Sequence, residues 1–400
     1  MYNYPSTRSS RIVMAALVWL ITGRPSFLMA EDAVRYIEPR DADGCSAAVV
    51  VPDVALIITR QLLPVHRFEK TVPANRSMAE QIGLVLGDLS EKVVKLNVVA
   101  ANEKVVTDVQ KAIASRVKDR TAKPAISYVV GRLRDPNALV AFDMVEFDPL
   151  DKSVEVSHAV GQLEKNAYRS FLPRGPTVYV SGQAEKGKDI AEMTRRTMES
   201  LVATLKHMGL ESRDVVQVKA FIGPITAADQ AEAEIAEFFR GAVPALVFIE
   251  WTTAPSIEIE IIASGNRAKV EMDDTVEFIT PPGMPASPVF SRVARMAAGP
   301  TIYISGLYGT SSGNGALETE EIFDQLGKLL EESGSDFRHL VKATYYVSTD
   351  DASAKLNELR PKYYDPKRPP AASKAPVAGT GLEGKSLTLD MIAAPRVKAK

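Results

Sequence analysis

Cysteine is almost absent: the 400 residues contain one, Cys45. No intramolecular disulfide can form, which excludes a small disulfide scaffold. Histidine is nearly as scarce, with His66, His158, His207 and His339 far apart in the chain. Ligands scattered in this way do not make a structural zinc site, so neither a metal nor any other cofactor is expected. An excess of one charge sign is also missing. The 48 Lys+Arg against 50 Asp+Glu leave a net charge of −2, which offers no electrostatic footprint for DNA or RNA. No serine–histidine–acid order and no phosphate-binding glycine loop occurs. Gly309–Gly315 (GTSSGNG) follows a strand signal but lacks the lysine and the dinucleotide spacing, and reads as a hairpin loop.

Long apolar runs are missing too. Ile12–Ile21 (IVMAALVWLI) is too short to span a bilayer comfortably. It follows Arg8 and Arg11 and precedes the small residue Ala30, after which Glu31-Asp32 begins an acidic stretch. That order predicts a secretory signal over residues 1–30 and an exported protein, periplasmic or extracellular, with no membrane association after cleavage. Losing the segment removes three arginines and no acid.

What is present is an ordinary globular composition, 46% apolar and 24% charged, written three times. Three strand signals end alike: Leu56–Gln61, Val178–Gln183 and Ile302–Leu307, spaced by 122 and 124 residues. Val93-Val94-Lys95, Val215-Val216-Gln217 and Leu340-Val341-Lys342 follow at the same rhythm. So do Pro124–Ser127, Pro244–Val247 and Pro370–Ser373, and the alternating strands Phe142–Val145, Ile259–Ile262 and Leu389–Ile392. Four matches in one order at near-constant spacing indicate triplication.

Helical periodicity fills the gaps. Met193, Leu201, Val202, Leu205 and Met208 recur ahead of Gly209, and Ile322, Leu326, Leu329 and Leu330 ahead of Gly334. Ser77 and Glu80 form a capping box before Ile82, Leu84, Val85 and Leu89. A second helix is predicted over 105–117, 227–239 and 352–364, its Phe238-Phe239 or Tyr363-Tyr364 plugging the core. Each unit reads hairpin, helix, strand, helix, strand, strand, an α+β arrangement with two helices on one face of a mixed sheet. The predicted organisation is a signal at 1–30 and units at 31–150, 151–270 and 271–400. Linkers run over 148–165 and 266–289, the second with a strand near Val276–Ile279 and a turn at Pro281-Pro282-Gly283.

The second unit carries Tyr168, Val178–Gln183, Asp214-Val215-Val216, Phe238-Phe239, Pro244-Ala245 and Ile257-Glu258-Ile259-Glu260. The third carries Ser305-Gly306, Leu340-Val341-Lys342, Asn357 and Pro370–Ser373. Both resemble the RidA (YjgF) family, and the first unit looks like a degenerate copy. The resemblance covers residues 45 to 395. It implies a chorismate-mutase-like fold, homotrimers with a small-molecule cleft at each subunit interface, and hydrolysis of 2-imino or 2-enamino acids to 2-oxo acids and ammonia. Three copies in one chain then imply an intramolecular pseudo-trimer, with a monomer as the expected state and a small molecule in the inter-repeat clefts as the expected partner.

In the family an arginine of a Pro-Ala-Arg-Ser motif clamps the substrate carboxylate as a bidentate pair. Here the matching positions are Ile126, Leu246 and Ala372, so the clamp is lost in all three copies. Lys374 is two residues on and on the same strand face, a point-charge substitute. The resemblance implies water-handling roles for Glu258 and Ser181, the candidate catalytic pair, and ligand-binding roles for Tyr168, Leu246, Ser305, Asn357 and Ala372. The asparagine position of the second copy is Glu232. The third copy has Phe290 for the tyrosine and Thr388 for the glutamate, and the first has Thr59 for the serine and Ala141 for the glutamate. Glu258 and Glu260 share strand parity, so both are expected on one side. His158 is read as part of a lead-in strand. Three functions follow: a small-molecule-binding protein without the arginine clamp, an imine or enamine hydrolase of altered specificity, or a structural or interaction module. An RNA target is excluded by the acidic charge and the export signal.

Overall fold

A computed structural model describes residues 33–396 apart from 67–68, 88, 149–156, 161–167, 241–242 and 254–255, and for 157–160 and 168 it describes the backbone only. The expected signal at 1–30 lies outside the described residues. The chain divides after Ala33, and the fold is that of the unit from Val34 onward.

One order of elements occurs three times. The first copy contains β1 (Arg35–Arg40), β2 (Cys45–Val51), β3 (Leu56–Thr59), α1 (Met78–Leu86), β4 (Val93–Ala100), α2 (Glu103–Arg116), β5 (Ala125–Val130) and β6 (Val140–Phe147). The second contains β7 (Ser157–Val160), β8 (Tyr168–Leu172), β9 (Thr177–Gln183), α3 (Ile190–His207), β10 (Val215–Gly223), α4 (Ala228–Ala236), β11 (Ala245–Glu250) and β12 (Ser256–Ser264). The third contains β13 (Val276–Ile279), β14 (Val293–Met296), β15 (Thr301–Ile304), α5 (Gly315–Glu332), β16 (Leu340–Val347), α6 (Asp350–Leu359), β17 (Ala371–Pro376) and β18 (Leu387–Ala393). The helices begin where side chains satisfy their first N–H groups. Ser77 and Glu80 form the capping box of α1, and Asp189, Asn314 and Thr349 cap α3, α5 and α6. Gly209 and Gly334 take positive φ just beyond α3 and α5, the conformation glycine adopts without Cβ strain. The second helix of the first copy has the expected length, whereas α4 and α6 end before the aromatic pairs Phe238-Phe239 and Tyr363-Tyr364, which lie in the connections to β11 and β17.

The strands form three six-stranded sheets, ordered β5-β4-β6-β3-β8-β7, β11-β10-β12-β9-β14-β13 and β17-β16-β18-β15-β2-β1. In each, one parallel pair (β4–β5, β10–β11, β16–β17) sits at one edge of an otherwise antiparallel sheet.

The lead-in differs from the sequence reading. A hairpin between β8 and β9 is the simple expectation, yet β8 pairs with β3 of the first copy and β9 with β14 of the third. Likewise β2 pairs with β15. Each lead-in hairpin therefore completes the sheet of another copy, and the exchange runs round all three. Proline-bearing connectors such as Pro173-Arg174-Gly175-Pro176 are poor two-residue hairpin turns. The exchange keeps the ladder bonds while joining the copies. A second difference concerns Gly309–Gly315. The segment joins a strand to a helix, not two strands: Asn314 caps α5, while Glu318 and Glu321 accept N–H bonds from Gly313 and Ser311.

Two kinds of core result. Helix-side cores such as Met198, Leu201, Leu205 and Ile235 are built mainly by one copy, with the exchanged lead-in strand of another packed in, Val293 in the second and Ala47, Ala48 and Val50 in the third. The opposite sheet faces meet in a shared core of Val49, Ile58, Val94, Tyr179, Val216, Ile262, Tyr303, Val341 and Ile392. Sheets lie inside and helices outside, so residues of either strand parity are buried. Among the described residues no helix is long and apolar enough to cross a membrane.

Candidate active site and inter-repeat clefts

The shared core holds a charged centre. Asp143, Glu260 and Asp390 occupy the same position of the last strand in each copy and are all buried, as are Lys95, Lys219 and Lys342. Lys95 Nζ lies 3.0 Å from Asp390, Lys219 Nζ 3.4 Å from Asp390 and Lys342 Nζ 2.9 Å from Glu260. The three ammonium groups outweigh burial and hold the Asp390 carboxyl below the usual carboxylate range. Asp143 differs. It accepts from Asn97 Nδ2 at 2.8 Å, but burial dominates and pushes its carboxyl up.

Glu260 leads outward to the boundary of the second and third copies. Ser373 Oγ on β17 donates to Glu260 Oε2 at 2.8 Å and accepts the Gly182 N–H at 3.1 Å. The Ser373 hydroxyl also reaches the Glu258 carboxyl. Here β9 carries a bulge: Gln183 opposes Ile259 and Val180 opposes Ile261, leaving Ser181 and Gly182 against Glu260. Bulges re-aim side chains beside functional sites. A Cβ on Gly182 would lie 2.6 Å from Glu258 Cγ and would overlap its carboxyl group, so glycine leaves the space that Glu258 fills. Burial pushes the Glu258 carboxyl up to about 7; Glu260 adds to the rise, against the Ser373 bond and Lys374. Across the boundary burial lowers Lys374, as does Arg360, while Glu258 opposes the fall. Lys374 Nζ donates to Ser353 Oγ at 2.9 Å and Asn357 Oδ1 at 3.3 Å. Ser181 Oγ is buried (1% exposed) and has no hydrogen-bond partner among the described residues.

The boundary of the first and second copies is built differently. Arg60 follows Thr59, where the other copies have Gly182 and Gly306. It lies 3.4 Å from Glu232 of α4. Arg134, from the loop between β5 and β6, pairs with both Asp229 and Glu232. These groups rim a cavity of about 430 Å³ with Leu246 and Phe248 in its lining.

The boundary of the third and first copies is filled. Ser305 Oγ, also 1% exposed, accepts the Ile126 N–H at 2.8 Å and donates to Ser46 O at 2.6 Å. Gly306 N–H donates to Ile126 O at 2.8 Å, and Thr388 Oγ1 turns back to Leu307 O at 3.1 Å.

The structure therefore gathers Glu258, Ser181, Ala372, Asn357 and Lys374 at one boundary. Ser305 is taken up by main-chain bonds at a second, and buried Leu246 lines the cavity at a third. Glu258 and Glu260 do lie on one side, bridged by Ser373. The Tyr168 backbone belongs to the sheet of the first copy, not to that of Ser181 and Glu258; its side chain and that of His158 lie outside the described residues. Sequence reasoning missed Ser373, Arg60 and Arg134. Ser373 was within reach as the surviving serine of the Pro-Ala-Ala-Ser stretch. Arg60 stands in the repeated strand motif where the other copies have glycine, a departure visible in the sequence, whereas Arg134 comes from outside the motifs. Among the described residues no group of three or more His, Cys, Asp or Glu is disposed to hold a metal.

A family profile described as Endoribonuclease L-PSP matches residues 162–264 and 284–394, together more than half of the chain. A RutC family protein of Pyrococcus abyssi is 30% identical over 107 residues, 24% of this chain and 84% of the relative. Among solved structures, a YjgF family protein of Neisseria meningitidis is 21% identical over 30% of this chain and 96% of its own, with a TM-score of 0.24. The Rid family protein YyfB of Yersinia pestis is 21% identical over 30% and 98%, with a TM-score of 0.28. The matched stretches hold the Glu258 and Ser373 strands and leave the first copy aside. This chain belongs to the Endoribonuclease L-PSP family, the RidA/YjgF proteins.

Proposed function

We propose that this protein is an exported, divergent RidA/YjgF member that binds a small polar molecule in the cleft between its second and third copies. One observation carries the reading: Ser181 Oγ is buried without a partner, beside a boundary where Glu258, Ser373 and Lys374 converge. A buried hydroxyl left unpaired is costly, and a ligand would relieve that cost. Lys374 supplies one point charge for a carboxylate, and Glu258 accepts or donates a proton to a carbonyl or imine.

The probe is 2-oxobutanoate, a small carbonyl acid, titrated by calorimetry into the chain lacking residues 1–30. Saturable binding that Ser181→Ala or Glu258→Gln weakens roughly tenfold or more supports the reading. Binding indifferent to both variants, or none at millimolar probe, contradicts it.

A second reading, slow imine hydrolysis, is favoured by the Glu258 carboxyl near 7, where a general acid–base works best. Without the bidentate clamp, a charged contact of about 2–5 kcal/mol is missing. Pyruvate release from freshly generated 2-iminopropanoate should then be about 10²-fold or more below that of an arginine-bearing relative.

A further inference from the structure

The charged centre of the shared core is not used by the function proposed above. We infer that it holds one monatomic anion of the halide class, bound by N–H groups of Lys219, Lys342 and Gln217. The centre departs from threefold symmetry. Lys95 and Lys342 stand at equivalent places in the first and third copies, whereas the second copy has Gln217 there and carries its lysine two residues later. Lys219 thus lies across the strand pair from Glu260, at the place of Asn97 and Thr344 in the other copies. A cavity of about 30 Å³ lies among Lys95, Asn97, Gln217, Lys219, Lys342 and Asp390, and its remaining walls include Ile58, Ile262 and Ile392. One water needs roughly 10–15 Å³ and an organic ligand roughly 300 Å³ or more. The occupant is therefore a water molecule or a single small ion.

Hydrogen bonding and charge decide between them. Lys95 Nζ donates to Ser127 Oγ and Ile304 O, both at 2.7 Å, and lies 3.0 Å from Asp390. Lys342 Nζ donates to Thr344 Oγ1 at 2.7 Å and lies 2.9 Å from Glu260, which leaves one N–H to spare. Lys219 Nζ has one long bond among the described residues, to Asp390 Oδ2 at 3.4 Å, which leaves two. Gln217, 6% exposed, brings a carboxamide to the same cavity. The ammonium groups thus turn spare donors onto a cavity with apolar walls, and a buried donor without an acceptor is costly. Charge points the same way. Burial pushes the Asp143 carboxyl up, toward its neutral form, and leaves Glu260 and Asp390 to face three lysines. Burial also lowers Lys95, but Asp390 opposes the fall and each of its three N–H groups meets an acceptor. A water molecule would accept the spare N–H groups and leave the excess positive charge in place. A halide accepts them and cancels it.

Crystals of the full chain grown in sodium bromide test the site directly. An anomalous bromine peak within hydrogen-bond distance of Lys219 Nζ supports the proposal. Density without an anomalous signal there, a water molecule, overturns it. In solution, chloride is exchanged at constant ionic strength for gluconate, which is too large for the cavity. An anion bound by the folded chain alone raises the melting temperature in a saturable way. Gln217→Leu removes the carboxamide and leaves every ion pair in place. It should raise the chloride concentration needed for half the effect roughly tenfold or more. Lys219→Met should abolish the chloride dependence, and Gln217→Leu carries the test where loss of that ammonium group unfolds the chain. Equal melting temperatures in chloride and gluconate, or a chloride dependence that Gln217→Leu leaves unchanged, overturn the proposal.

Discussion

Ser181 and Ser305 stand at the same place in two copies of one repeat, and both are almost fully buried. Ser305 spends its hydroxyl on the backbone of the first copy, at Ile126 and Ser46. Ser181 spends its own on nothing described. The residue type is the same, and the neighbour across the boundary makes the difference. At the third–first boundary, Ile126 and Gly306 meet main chain to main chain. At the second–third boundary, Ser373 turns its hydroxyl to Gly182 and Glu260, and Glu258 fills the space. Triplication in one chain let one boundary close as structure while another kept polar groups available. Identical subunits could not diverge in this way.

The largest expected effect breaks the contrast at the charged centre. Asp390→Asn strands two buried ammonium groups, Lys95 and Lys219, and should cost about 3–5 kcal/mol in urea unfolding. Asp143→Asn, at the equivalent position of the first copy, should cost about 1 kcal/mol or less, because burial already raises that carboxyl and the substitution keeps an acceptor for Asn97. Equal losses would mean that the three acids share one role. Acid should act through Asp390 in the same sense. Its folded pKa lies below the unfolded value, so its contribution is present above about pH 4 and is lost as pH falls further.

The next effect is carried by the two serines. Ser305→Ala leaves the buried Ile126 N–H unpaired and should cost about 1–3 kcal/mol. Ser181→Ala should change stability by about 0.5 kcal/mol or less while weakening 2-oxobutanoate binding. Smaller still is the glycine pair. A methyl at Gly306 meets Thr388 Oγ1 at 3.0 Å and Ser127 Cα at 3.5 Å, so Gly306→Ala should cost about 1 kcal/mol by overpacking. At Gly182 the obstacle is the movable end of Glu258. Gly182→Ala should therefore leave the melting temperature near the parent value and remove ligand binding.

Much of this was legible in the chain. Four strand signals in constant order mark the three units, because each copy buries the same strands against the same helices. Glu258 and Asn357 were legible as site candidates through the family resemblance, and Lys374 because strand parity puts it on the face of Ala372. The exchange of lead-in hairpins was not legible. A hairpin and its exchanged form satisfy the same alternation of side chains, and choosing between them depends on contacts between copies. The Arg60 and Arg134 cavity was hidden for a similar reason: its two halves are about 170 and 100 residues from their partners in sequence. Burial on both sheet faces also obscures which polar strand residues face the centre, so the lysine–carboxylate core gave no sign beyond its repeat positions.

A further effect is on pH dependence. Glu258 is raised in the folded protein, so it favours folding at low pH, and that contribution is lost as pH rises from the unfolded value of about 4.3 toward 7. Thermal unfolding of Glu258→Gln should show less of this decline, leaving the variant the more stable of the two above pH 7.

The most direct test of the account is the titration of the Glu258 carboxyl itself, followed by carbon-13 NMR and assigned with Glu258→Gln. A half-buried carboxyl in a working cleft should titrate with a midpoint at about 7, and the midpoint should move when 2-oxobutanoate is added. A midpoint in the ordinary glutamate range of about 4.3, unmoved by the ligand, would contradict the account.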